Sequence, residues 1–119
     1  MAIVRLFTGK DNKSHFEEIK PVFEKLEDKS ERAIIRTGSV DLTLRRFDSK
    51  RSNPWHPAPG HVCVFHLSGA VEIEVGDGTV RRMNPGDILI AEDLTGEGHC
   101  TREVGSEPRV CLFVPLSKK

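Results

Sequence analysis

Five histidines, three cysteines and a single tryptophan are the side chains from which this sequence can build a site. His56 sits in Asn53-Pro54-Trp55-His56-Pro57-Ala58-Pro59, where the prolines stiffen the chain around it. Trp55 beside it can stack on a ligand or plug an opening. His61 and His66 bracket the apolar run Val62-Cys63-Val64-Phe65, and His99 follows a stretch holding Glu92, Asp93 and Glu97. A neutral imidazole donates and accepts a hydrogen bond, acts as a general base near neutral pH, and ligates metals. With carboxylates it makes an N/O donor set suited to Zn, Fe, Mn, Ni or Cu. The cysteines point elsewhere. Cys63, Cys100 and Cys111 are odd in number and scattered, so they form neither a disulfide framework nor a CxxC metal site. There is no P-loop, no dinucleotide GxGxxG and no GxSxG elbow.

The elements that must position these residues read as strands. Val40 to Leu44 alternates apolar and polar, as does Ala70 to Val75. His61 to Leu67 is apolar on both parities and is therefore covered on both faces. Ser68-Gly69 marks a bend, Gly76-Asp77-Gly78 a hairpin and Asn84-Pro85-Gly86-Asp87 a turn. Residues 2–7, 33–36, 79–83, 88–91, 99–104 and 109–114 supply further strands. Residues 48–60 and 92–98 read as loops. Residues 14–26 fit two readings. A short helix starts near Pro21, using the apolar spacing of Val22, Phe23 and Leu26, or Phe16 to Ile19 is a strand followed by loop. Many short strands with regular turns make an antiparallel sandwich or barrel. Arg45 and Arg46 have opposite parity, so one of them can point inward and bind a substrate carboxylate.

The stretch Val64-Phe65-His66-Leu67-Ser68-Gly69-Ala70-Val71, followed by Gly78, by Asn84-Pro85-Gly86-Asp87 and by His99, resembles the cupin core. The resemblance covers roughly residues 40–114 and implies an all-β, double-stranded β-helix or jelly-roll barrel. On that basis 1–119 is one domain, with an N-terminal strand and extension over 1–32 and the barrel core over 33–115. Metal-binding cupins take two histidines and a glutamate from their first motif and a histidine from their second. His56 falls on the first of these and His99 on the last. Ala58 and Val62 stand where the other two belong, so the usual set is halved. His66 shares strand parity with Val62 and Val64, and the resemblance makes it a third ligand or a pocket hydrogen-bonder. The implied catalytic candidates are His66, Glu92 and Asp93. The implied metal ligands are His56, His99 and His66, around one divalent transition metal. The implied substrate pocket holds Trp55, Val62, Val64 and Arg45.

Composition narrows the function. Lys plus Arg equals Asp plus Glu, 18 each, so no global field steers nucleic acid or an anionic membrane. The basic pairs Arg45-Arg46, Lys50-Arg51 and Lys118-Lys119 read as solvated surface. No run approaches the ~18 apolar residues of a membrane span, and the N-terminus lacks a signal-peptide core. Free cysteines fit a reducing cytoplasm. A chain of 119 residues has a modest core, which a homodimer would extend. The expected function is a small-molecule-binding domain, read either as a metal-dependent oxygenase, isomerase or lyase, or as a metal-free binding or sensing domain. A third reading, a filled structural barrel, requires that no ligand-sized cavity exist.

Overall fold

The computed structural model describes residues 1–116, so Lys118-Lys119 lie outside the described residues. Its elements are β1 (Val4–Thr8), β2 (Ser14–Glu18), β3 (Glu24–Lys25), β4 (Glu31–Ile35), β5 (Leu42–Phe47), β6 (Ser52–His56), β7 (Val62–Ser68), β8 (Ala70–Val75), β9 (Val80–Met83), β10 (Ile88–Ala91), β11 (His99–Val104) and β12 (Arg109–Pro115). All pairings are antiparallel. One sheet has the order β10-β7-β12-β5-β4-β3, a second β6-β11-β8-β9, and β1-β2 is a separate hairpin.

Alternation sorts the side chains between the two faces of the large sheet. On β12, Cys111 and Phe113 face the second sheet with Phe47 and Val64. Val110 and Leu112 face the other way, onto Ala33, Ile35 and Leu44, and Ile3 and Phe23 of the N-terminal segment cover that side. The sequence therefore supports two thin cores, one on each face of the same sheet. The neighbouring arginines split accordingly. Arg46 turns outward to Glu31, at 3.1 and 2.8 Å, and lies over Phe23, whereas Arg45 turns inward.

Two local readings are resolved or corrected. Among the described residues there is no helix, and residues 14–18 pair as a strand with β1, which agrees with the strand reading of that segment. Residues 48–60, read as loop, contain β6. Pro54 argues against a strand only where its missing N–H breaks a ladder. Here β6 is the edge of the four-stranded sheet, so no ladder bond is lost. The bend at Ser68-Gly69 passes the chain from the large sheet to the small one. Gly69 has φ +70°, and a Cβ there would stand 2.7 Å from the Cα of Arg109, so neither the conformation nor the space admits a side chain.

Candidate ligand cavity

The two sheets enclose a cavity of about 230 Å³. The large sheet contributes Arg45, Phe47, Val64, His66 and Arg109 to its wall, and the small one His56, Val71, Ile73, His99 and Thr101. A space of that size is incompatible with a filled structural barrel.

At one end, β6 and β11 place His56 directly opposite His99. Their ring centroids are 4.7 Å apart with a 53° interplanar angle. His56 Nδ1 donates to the Pro54 carbonyl at 2.7 Å, and His99 Nδ1 donates to the Asp93 carboxylate at 2.6 Å. A carbonyl and a carboxylate accept only, so both rings carry a proton on Nδ1 and turn Nε2 away from these acceptors. Gly98 makes this approach possible. It has φ +77°, and a Cβ would lie 2.1 Å from the His56 carbonyl oxygen. The 92–98 loop is tied down further by the Ala58 N–H donating to the Asp93 carbonyl at 3.0 Å.

Toward the interior, His66 is 2% exposed, and neither ring nitrogen has a hydrogen-bond partner among the described residues. Burial first, and then the positive charge of Arg109, push its pKa down to about 4, so the ring is neutral. Arg109 is itself buried and forms a bidentate pair with Glu103 at 2.7 and 3.0 Å. Arg45 Nη2 donates to Ser30 Oγ at 2.7 Å, while its Nε is buried without a partner among the described residues.

The sequence-derived site residues separate spatially. His56, His66, His99, Arg45, Val62 and Val64 line the cavity. Asp93 stands behind His99 and orients it rather than lining the cavity. Glu92 is exposed, with its carboxylate 2.8 Å from His61 Nε2 but outside hydrogen-bond geometry. Glu92 and Asp93 instead border a neighbouring depression with Val75 and Ile90. Trp55 is 41% exposed and lies off the cavity. Phe47, Thr101 and Arg109 also line the cavity, although the sequence did not single them out. For Arg109 a signal existed in its shared parity with Cys111 and Phe113 on β12.

The metal that the cupin resemblance implies requires three or four donors. Among the described residues, no group of three or more His, Cys, Asp or Glu side chains is placed to share an ion. Ala58 and Val62 present carbon to the cavity. Two imidazoles alone do not fit a resident ion of that kind.

No family model matches the chain, and no curated protein does. Solved structures do. A chain in the complex of Rhodobacter sphaeroides SigE with the anti-sigma ChrR is 25% identical, with a TM-score of 0.64, over 81% of this chain and 50% of that one. The present chain thus spans half the length of that relative. The Schizosaccharomyces pombe Cnp3 cupin domain is 13% identical, with a TM-score of 0.62, over 98% and 88%. An uncharacterized Klebsiella pneumoniae protein with a double-stranded β-helix domain is 25% identical, with a TM-score of 0.53, over 70% and 72%. Two antiparallel sheets closing over a cavity, with the glycine bend and Pro-Gly-Asp turn in their expected places, agree with these likenesses: by fold, the chain is a small cupin, a double-stranded β-helix.

Proposed function

We propose that this chain is a small-molecule-binding cupin and that its ligand occupies the cavity between His56, His99 and His66. One observation carries the reading. A histidine 2% exposed has both ring nitrogens unpartnered beside a cavity of about 230 Å³. A buried polar group without a partner costs about 1–3 kcal/mol. A ligand that supplies its hydrogen bonds recovers that cost. The volume equals roughly eight waters at about 30 Å³ each, which sets the ligand's size. The two ends of the cavity are polar, while Phe47, Val64, Val71 and Phe113 make its sides apolar. The free cysteines support a reducing compartment such as the cytoplasm.

The test is ligand-observed NMR on chelator-treated protein, using a panel of fragments of six to twelve non-hydrogen atoms. Several should bind, and Val71→Phe, which fills the cavity, should abolish their signals. Absence of any binder, or binding indifferent to Val71→Phe in a folded protein, overturns the proposal.

A second reading has its own observation. Both Nδ1 atoms at the mouth are held by oxygen acceptors, which is how metal-ligating histidines are oriented. Metal analysis of untagged protein separates the two. Stoichiometric transition metal that is lost in His56→Ala and in His99→Ala supports a metal-dependent enzyme. Substoichiometric metal unchanged in those variants removes it.

We also propose a homodimer in which a second copy covers the outer face of the β7–β10 edge. Leu67, Ile88 and Ile90 are 41%, 56% and 57% exposed there, side by side on paired strands.

A further inference from the structure

We infer that the inner end of the cavity is an anion subsite, and that the ligand is a small monocarboxylate whose carboxylate lies between Arg45 and His66. This rests on the ligand-binding reading above and names the class of ligand.

Strand register brings the two residues together. Cys111 on β12 is the direct partner of Arg45 on β5 and of His66 on β7. Residues directly opposed in antiparallel strands project to the same face. Neighbouring strands are about 4.8 Å apart, so Arg45 and His66 leave the sheet about 10 Å from each other. The small residue between them is fully buried. Burial pushes the Cys111 thiol up to about 11, so it is neutral and offers no competing charge. Both longer side chains line the cavity, and between them Arg109, which lines it too, donates from Nη1 to the Cys111 sulfur at 3.4 Å, so a third cation covers the thiol.

Both flanking groups carry unused hydrogen-bonding capacity. The atoms are His66 Nδ1, His66 Nε2 and Arg45 Nε. A neutral imidazole presents one N–H, and Arg45 Nε is a donor in every state. In the free protein these atoms are shut off from the cavity space, so a carboxylate accepts from both as the two side chains turn to meet it.

The charge balance favours an anion. Three guanidiniums gather on Phe47: Arg109 at 4.2 Å, Arg45 at 4.9 Å and Arg51 at 5.5 Å from the ring centroid. Two carboxylates answer them. Glu103 is taken by Arg109, and Asp28 lies 2.7 Å from Arg51 but 3.9 Å from Arg45. One positive charge is left over, on the arginine whose Nε is unpartnered. Asp87, the other carboxylate near His66, is exposed, stands off the cavity and accepts the Asn84 N–H at 2.7 Å. A single excess charge matches a monoanion rather than a phosphate dianion. At the mouth, Nδ1 of both His56 and His99 is taken by an oxygen acceptor, so Nε2 is the ring atom left to meet a hydroxyl or amino group at the far end of the ligand.

The experiment is isothermal titration of chelator-treated full chain with C4 to C8 ω-hydroxycarboxylates, each paired with its neutral carboxamide, at constant ionic strength. At least one carboxylate should bind about tenfold or more tightly than its amide, as a charge-assisted hydrogen bond requires. Arg45→Gln should remove that preference while leaving amide binding in place, and Arg45→Lys should restore part of it. The wild-type comparison needs no variant, so a misfolded Arg45→Gln protein leaves it decisive. Equal binding of acids and amides overturns the anion subsite and leaves the pocket standing. If no acid binds more tightly than about 10 mM, the subsite falls as well.

Discussion

A histidine that is buried, neutral and unpartnered makes its own stability signature. In the unfolded chain His66 titrates near the ordinary value of 6.5, and in the folded chain near 4. Between those values the unfolded state binds a proton that the native state does not, so native stability is complete above about pH 6.5 and is lost as pH falls toward 4. Urea midpoints measured from pH 7 to pH 5 should fall in the wild type and fall less steeply in His66→Leu, the other histidines being common to both proteins. At neutral pH the same substitution replaces two unsatisfied nitrogens by carbon of similar volume. It should raise the unfolding free energy by about 1 kcal/mol while abolishing ligand binding, the trade expected when a strained polar group is kept for function. A destabilised His66→Leu would mean that the ring is already satisfied in the free protein.

At the scale of elements, the histidine pair depends on how closely the 92–98 loop approaches the end of β6. Gly98 fixes that approach, with no room for a Cβ against the His56–Pro57 peptide. Gly96 has a similar φ, +82°, but open space around it. The two therefore separate backbone strain from collision. Gly96→Ala should cost about 1 kcal/mol for the left-handed conformation alone. Gly98→Ala adds the collision and should cost about 3 kcal/mol in urea unfolding, with the imidazole resonances of His56 and His99 both shifted in NMR spectra. Equal costs would show that the loop yields freely and does not set the pair.

The whole molecule measures 58 × 38 × 27 Å, with a radius of gyration of 16.4 Å. A compact chain of this length has about 13.5 Å. The excess matches the β1-β2 hairpin, a separate two-stranded sheet on which Leu6 and Phe16 are 65% and 80% exposed. Isolated hairpins have little stability of their own. Together with Ile88 and Ile90 on the sheet edge, this is more open apolar surface than a monomer needs. Light scattering after gel filtration should find a dimer at micromolar concentration, and Ile88→Lys with Ile90→Lys should return it to a monomer. A wild type monomeric at all accessible concentrations would remove the dimer. Among the described residues, no helix is long and apolar enough to cross a membrane.

The sequence by itself determined the strands and the turns between them. Alternation, the Gly-Asp-Gly hairpin and the Asn-Pro-Gly-Asp turn act over neighbours in the chain, so they were readable from Ala70 to Ala91 and over 99–114 nearly residue by residue. Parity on β7 grouped Val62, Val64 and His66 on one face and His61 on the other but left open which face turns inward; in the structure the first group lines the cavity. It failed at β6, because whether Pro54 breaks a strand depends on that strand lying at a sheet edge, a fact of topology. The composition of the site was decided only by tertiary structure. Which of Arg45 and Arg46 turns inward, that Cys111 sits between Arg45 and His66, and that Asp93 orients His99 all follow from register between strands far apart in sequence. The balance of three guanidiniums and two carboxylates around Phe47 is likewise a sum over distant segments, so no local pattern in the sequence records it.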